Sequence, residues 1–522
     1  MNLAIFRVVY FLTLFPRVKL HDVQNFSTTP KELWVAPPGL GWFIDILPQS
    51  ETFVTVAYGF FAVACFAGLI GMCTRTACIM ATCTAFYLLG VPQFFGKINH
   101  YHHIIWVGAL LSVSRCSDVL SVDSIWRSLR SPTVPERPEP ANVYSVPLRI
   151  VLLFLGLIYF FPGFWKYVVS GPEWFLSGNL QSRMLLRMFV SEGWTPVVRV
   201  DRYPLLCQIG GFTTIVVEIG FILLVFSRWG RYVAAIGGLS FHFLVRQLLN
   251  ISFWPIQAYY LAFADIHGVM KWIGSRFSAD RVRLNYDPKD VLACRIASVS
   301  QVLDIFDLVD CKPAEFASTN KLRLRIDESE GWGAVWRLGR AAPLIWLVVP
   351  FLQATSNWAT TKPVQGHPSY RLRGVYAVGA TVLLVNTLCG FTMTDSWPFG
   401  VYPTFARIIP PVFQSLTMDA VDENGRVLAD VEIYYDPAIR EVFPTNRLGE
   451  IVNRVSRAPD RSQRLASIWN IWQAKHPEVA GANKVNFYIA NYSCDPRDAS
   501  RNPIERRLME VVSLDSSVTD LP

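Results

Sequence analysis

Charge is scarce in this sequence. Asp, Glu, Lys and Arg make up 17% of its 522 residues, 52% are hydrophobic, and mean hydropathy is +0.30. A soluble globular domain carries about 25% charged residues, so a single water-soluble globule is excluded. Cysteine occurs 10 times but never as C-x-x-C. Without that pairing there is no sign of a zinc site or a disulfide framework. Cys65, Cys73, Cys78, Cys83 and Cys389 lie in or beside apolar runs and read as small buried residues. The net charge is +8, yet no loop interleaves basic and aromatic residues densely, so nucleic acid is not an expected partner. Residues 1–16 lack a basic segment before their apolar run, Arg7 interrupts it, and no small-residue cleavage site follows. A first helix is expected there rather than a cleaved leader.

What the chain has in quantity is apolar runs. They fall at 52–72, 76–95, 103–114, 147–165, 209–227, 231–248, 251–264 and 374–393, with a shorter one at 3–16 and a weaker one at 337–355. A bilayer crossing needs about 20 such residues. The runs are continuous rather than alternating, which points to helices and not a barrel. Many of the 17 Trp sit at run edges, as in "ELWV", "FWKYV" and "FWPIQ", which suits an interfacial belt. The expected fold is an all-α polytopic membrane protein of about eight to ten transmembrane helices, with a small α+β soluble C-terminal region. Its parts are a membrane block at 1–264, a soluble insert at 265–370, a further membrane helix at 371–393 and an α+β unit at 394–522. In that last unit "RVLADVEIYYD" and "KVNFYIANYS" alternate like strands, and "RLASIWNIWQAK" is periodic like a helix.

Lys and Arg in short loops set orientation. With the N-terminus inside, the 114–146 loop, Arg228, Arg231 and the start of the insert (Lys271, Arg276, Arg281, Arg283) fall inside. Lys97 and the 167–208 loop fall outside. The tail then lies outside if 337–355 does not cross, and inside if it does. This orientation puts His103, Lys166, and His242 with Arg246 near the same end of three helices, with Glu218 in "TTIVVEIGFILLV" as a fourth contributor. Ionisable groups at membrane depth are costly and suggest a site. One such residue could simply snorkel to the headgroups, but several together imply a shared polar site. His100, His102 and His103 invite a metal reading. Their i, i+2, i+3 spacing does not share one helical face and no carboxylate lies among them, so no metal is expected. His100 and His102 read as accessory or interfacial.

Four stretches resemble the vitamin K-dependent γ-carboxylase family, in particular its bacterial relatives with the HTTM domain. They are "IDILPQSETFVTVAYGFFAVACFAGLIGMCTRTACI"; Lys97, His103 and Gly108 in "GKINHYHHIIWVG"; Lys166, Trp174 and Gly178 in "FFPGFWKYVVSGPEWFLSG"; and Phe241, His242, Leu248, Ile251 and Pro255 in "FHFLVRQLLNISFWP". The resemblance covers about residues 1–264. It implies a bacterial inner-membrane enzyme in which Lys166 is the base on reduced vitamin K or a menaquinol-like quinone. O2 and CO2 would be co-substrates, and His103 would assist when a proton is taken from a peptide or protein glutamate. His242, Trp174, Glu218 and Arg246 would contact the quinone. Lys is protonated in neutral water; an apolar setting, here expected from Phe160, Phe161, Phe164 and Trp165, disfavours the ammonium. The chain departs from the family at Val245, where Asn is usual, at His102, where the animal enzyme has Asn, in a longer Lys166-to-Trp174 interval, and in lacking a match to the animal enzyme's lumenal region.

The insert resembles a decayed DCC-type thiol-disulfide oxidoreductase module, on Tyr286, Asp287 and Cys294 in "LNYDPKDVLAC". The first Cys of its C-x-x-C is missing, so dithiol exchange is not expected. "SWPFGVYPTF" reads as a structural turn at the membrane surface. Two functions stay open: a quinol-dependent membrane enzyme, and a non-catalytic scaffold or lipid- or quinone-binding protein on the same fold.

Overall fold

The computed structural model describes the chain outside residues 28, 95–100, 132, 135–140, 192, 278–280, 317–321, 353, 355–367, 401–404, 443–454, 456, 496–501 and 515–522. Lys97 and His100 therefore lie outside the described residues. The structure is mostly helical. Its helices of nine residues or more are α1 (Asn2–Leu14), α2 (Glu51–Ile70), α3 (Thr74–Gly90), α4 (His102–Val113), α5 (Val122–Arg130), α6 (Asn142–Ser170), α7 (Asn179–Val190), α8 (Pro204–Leu224), α9 (Arg228–Leu249), α10 (Ile266–Phe277), α11 (Val291–Leu303), α12 (Trp332–Ala341), α13 (Pro368–Thr392) and α14 (Arg461–Gln473).

Six of them are long and apolar enough to cross a membrane: α2, α3, α6, α8, α9 and α13. The expected eight to ten are not reached among the described residues, and length explains why. At 1.5 Å per residue α1 and α4 are about 20 Å and about 18 Å long, against about 30 Å of hydrocarbon. Both are interior helices. Leu3, Phe6, Tyr10, Phe11 and Leu14 of α1 are buried, as is every residue of α4 from His102 to Leu111 except Ala109. Residues 251–264 form two short turns, Trp254–Ala258 and Tyr259–Phe263, with Pro255 in the first. The described residues of 337–355 do not form one long helix but the end of α12 and two short turns, Pro343–Leu347 and Val349–Leu352. Val335, Leu338, Ala341, Ile345 and Leu352 instead join the core of the insert.

Local signals place the helix ends. The Ser50 hydroxyl accepts from the Phe53 amide, and Gly71 ends α2 with φ +71°. Ser121 and Ser124 cap α5 reciprocally. The Asp123 carboxylate accepts from the amides of Cys73 and Thr74 at 2.8 Å each, tying α5 to the start of α3.

The insert holds a four-stranded sheet of β1 (Val282–Tyr286), β2 (Val309–Pro313), β3 (Leu324–Ile326) and β4 (Ser329–Glu330), in the order β2-β1-β3-β4. β1 and β2 are parallel, with Val282 opposite Val309, and α11 is their crossover. The C-terminal unit is an antiparallel sheet of β5 (Val412–Val421), β6 (Val427–Glu432), β7 (Lys484–Ser493) and β8 (Pro503–Ser513), in the order β6-β5-β7-β8. α14 covers it through Leu465, Ile468, Trp469 and Trp472.

The two sheets lie at opposite ends of the helix bundle. The insert meets the 114–130 region, where Leu129 enters its core and the Leu120 amide donates to the Val302 carbonyl at 3.1 Å. The C-terminal sheet shares its core with Leu33, Trp34, Val91, Phe94 and Phe189 at the far end of α3 and on α7.

Candidate functional site: a buried ion pair on an apolar cavity

α6 runs 29 residues with Pro147 and Pro162 inside it. Pro162 has no N–H for the Ile158 carbonyl four residues back. α8 packs closely along this helix because glycines face it. A Cβ on Gly163 would lie 2.6 Å from the Glu218 Cβ, and one on Gly156 would lie 3.1 Å from Ile222. The close approach sets Glu218 against Lys166. The Lys166 ammonium donates to Oε1 at 2.6 Å and to Oε2 at 2.5 Å, with both side chains buried. The Trp174 ring lies 5.4 Å from Lys166 Nζ, and its indole N–H donates to the Phe405 carbonyl at 2.7 Å.

This pair forms part of the wall of a cavity of about 510 Å³. α6 contributes Tyr159, Pro162 and Lys166. α8 contributes Gly210, Thr213, Thr214, Val217 and Glu218, and α9 contributes Ser240, Phe241, His242 and Val245. Tyr159 lies between two polar partners: its hydroxyl is 2.6 Å from His242 Nε2 and 2.6 Å from the Tyr260 hydroxyl. His242 is buried, and its Nδ1 has no hydrogen-bond partner among the described residues.

Of the residues singled out in the sequence, Lys166, Glu218, Trp174 and His242 therefore line one cavity. His103 and Arg246 are not among its lining residues. His103 is buried on α4, edge-on to Tyr259 with ring centroids 5.2 Å apart, next to the Tyr260 that bonds Tyr159. Arg246 is exposed on α9. His102 is fully buried rather than interfacial, 5.6 Å from the Trp397 ring, and Gly400 lies where a Cβ would meet its Nε2 at 2.7 Å. The "SWPFG" turn covers it: the Trp397 indole donates to the Phe86 carbonyl, and the Trp106 indole donates to the Pro398 carbonyl.

Phe160, Phe161 and Phe164 are not the wall around Lys166. Phe161 and Phe164 pack on Phe391 of α13, and the Trp165 indole donates to the Gly390 carbonyl. The sequence reading also missed Tyr159, which a same-face argument could have found. Positions 159, 162 and 166 follow i, i+3, i+7. Arg183 and Phe405 carried no such signal. The buried Arg183 guanidinium donates to the carbonyls of Phe405 and Arg407, strapping the segment before β5 across the cavity's end. Burial lowers Arg183 to about 10, so it remains a cation at neutral pH.

In the insert, Asp290 stands at the start of α11. Its Oδ1 accepts from the Leu292 and Ala293 amides at 3.0 and 3.2 Å, and its Oδ2 from the Arg323 amide at 2.8 Å. Cys294 is buried behind it, with the thiol directed to the Asp287 and Pro288 carbonyls. Burial, with Asp290 and Asp287 nearby, pushes this thiol up to about 11. No group of three or more His, Cys, Asp or Glu suited to a metal ion occurs among the described residues. The chain matches no family model, no curated protein and no solved structure.

Proposed function

We propose that this chain is an integral, multi-pass membrane enzyme acting on a reduced lipid quinone, with chemistry like that of the vitamin K-dependent γ-carboxylase family. The observation that carries the reading is the Lys166–Glu218 pair buried in the wall of a largely apolar cavity. Six helices of spanning length support the membrane setting, with the Arg- and Lys-rich end of the bundle and the insert on the cytoplasmic side of a bacterial inner membrane. The cavity suits an aromatic ring with an isoprenoid tail, and His242 Nδ1 is a polar atom in need of a partner there.

A reduced quinone, when bound, supplies the electrons that consume O2. The protein's part is proton handling in a water-poor site. The Lys166–Glu218 unit is electrically neutral as a pair: a proton passed from the ammonium to the carboxylate leaves an amine that takes the quinol proton, and the ammonium so formed compensates the anion beside it. The lysine thus acts together with Glu218 rather than as the lone base that the family resemblance implies. His242, aligned by Tyr159, holds a ligand oxygen, and the apolar walls exclude water.

A second reading is favoured by one observation. His103, the residue that the family resemblance ties to proton removal from glutamate, packs on Tyr259 away from the cavity's lining. On that reading the chain is a lipid- or quinone-binding scaffold. The test is oxygen-dependent epoxide formation from a reduced naphthoquinone in detergent-solubilised protein, wild type against Lys166→Arg. Arg keeps the bond to Glu218 but stays protonated. Turnover by wild type and none by the variant is expected, and equal rates would remove Lys166 from the reaction. A quinone that co-purifies by mass spectrometry but is never turned over would favour the scaffold.

A further inference from the structure

The segment from Trp332 to Leu352 is core on one side only. α12 buries Ala334, Val335 and Leu338 against the insert's sheet. Its other side exposes Trp332 and Trp336, and the turns after it expose Trp346, Leu347 and Phe351, at 42, 60, 39, 71 and 65%. Single exposed apolar residues need no explanation, but a run of large ones on one element does. These are also held in shape. Trp336 and Trp346 meet edge-on with centroids 5.1 Å apart, and Trp346 lies so close over Gly339 that a Cβ there would sit 2.3 Å from its ring. Arg340 continues the 332, 336, 340 stripe. It is exposed and has no carboxylate paired with it among the described residues.

The surroundings indicate what covers this face. Other Trp residues beside cations belong to the same end of the bundle. The Arg130 guanidinium lies 4.4 Å over the Trp126 ring of α5. Exposed Trp229 sits between Arg228 and Arg231 at the start of α9, and exposed Trp272 follows Lys271 in α10. Indoles next to basic side chains are the composition of a lipid–water boundary. α13, a candidate span, begins at Pro368 and is the next described helix after this segment in the sequence.

We infer that the Trp332–Phe351 face is a monotopic membrane anchor. It lies flat on the leaflet at the insert's end of the bundle, with its indoles at headgroup level and Arg340 against anionic lipid phosphates. The inference rests on the membrane reading of the six helices and is independent of any quinol chemistry. It also gives the apolar stretch 337–355 a role that is neither a ninth span nor only a core segment.

The test uses the full chain in phosphatidylcholine–phosphatidylglycerol nanodiscs, with exposed Cys73 and Cys83 replaced by Ser. Single nitroxides are placed by Trp336→Cys, by Phe243→Cys on the exposed side of α9, and by Lys312→Cys on β2. Relaxation by oxygen is compared with relaxation by a water-soluble nickel chelate. Positions 336 and 243 are expected to favour oxygen several-fold over position 312. The preference at 336 should fall when phosphatidylglycerol is left out. A nickel preference at 336 beside an oxygen preference at 243 overturns the anchor while the membrane reading stands. Protection of 336 from both reagents overturns it too, in favour of a second copy or another protein. A nickel preference at 243 brings down both. An unchanged value at 336 without phosphatidylglycerol overturns the anionic-lipid contact.

Discussion

The bundle and the insert each gather ionisable residues at a place that the sequence marks, and they use them differently. At the α6–α8 crossing Lys166 meets Glu218 side chain to side chain, because the backbone groups there are already bonded within helices. Room is left over, in a cavity of about 510 Å³. At the β1–α11 turn the carboxylates are engaged by the backbone. Asp290 accepts three amides, and Asp287 accepts the Lys289 amide and the Arg323 guanidinium, both at 2.8 Å. Behind them Cys294 is packed by its own chain. Free backbone donors turn acidic residues into caps. Where none are free, acidic residues must find cations, and what they build can be open to a ligand.

The sharpest way to break this contrast is to remove Glu218. Glu218→Ala leaves the Lys166 charge buried without its partner, at a cost of about 3–5 kcal/mol. Lys166→Met with Glu218→Leu removes both charges and is expected to come back to wild-type stability or exceed it. Denaturant midpoints in mixed micelles measure both. A single variant as stable as wild type would mean that water reaches the pair. Next in size is Gly163→Ala. Its Cβ would lie 2.6 Å from that of Glu218, so α6 and α8 must separate, at about 1–3 kcal/mol. The same midpoints measure it, and no loss would show that the crossing is loose.

The contrast also shows what could be read from the sequence. Lys166, Glu218, Trp174 and His242 stand out because polar or indole groups interrupt apolar runs, and the structure brings them to one cavity. Phe160, Phe161 and Phe164 were assigned to it by adjacency. Helical rotation turns Phe161 and Phe164 toward Phe391 and leaves Tyr159 on the Lys166 side. Arg183 and Phe405 arrive from separate segments through bonds to main-chain carbonyls, which no periodicity records. Hydropathy found the six long helices, but it could not separate a span from the apolar stretch 337–355. A helix half-buried on a sheet has the same composition when its other side is also apolar. In the tail β6, β7 and α14 were legible by alternation and period, whereas β5 and β8 were not singled out. β5 is buried through most of its length, and β8 is an edge strand with little alternation in burial.

On the insert's side the effects are smaller. Asp290→Ala removes the cap of α11 and is expected to cost about 0.5–2 kcal/mol, read from the thermal midpoint of the insert. Arg323 holds the Asp287 carboxyl below its usual range. A carboxyl lowered by folding contributes stability above its unfolded value, near pH 4, that is lost as pH falls through the folded value. An acid titration of the same midpoint should therefore show a loss below about pH 4 that Arg323→Gln reduces. A flat acid profile in both proteins would separate Asp287 from the stability of the turn.

The smallest effect concerns the Cys294 thiol, and it decides whether the insert keeps any thiol chemistry. Burial pushes this group up to about 11, whereas an unperturbed thiol titrates near 8.5. At pH 8 about a thousandth of it is thiolate, the form that reacts. Cys73, in the turn before α3, is exposed where Cys294 is buried. Iodoacetamide at pH 8 should therefore modify Cys73 while leaving Cys294 intact, as read by peptide mass spectrometry of the native protein. The linkage sign is that of a raised group. The thiol's contribution is fully present below about pH 8.5 and is lost as pH climbs toward the folded value, because the unfolded chain ionises first. The insert should then weaken between about pH 8.5 and 11 in wild type and less in Cys294→Ala. If Cys294 is alkylated as fast as Cys73 at pH 8, the β1–α11 turn opens in solution, and the contrast with the cavity of the bundle fails at its closed end.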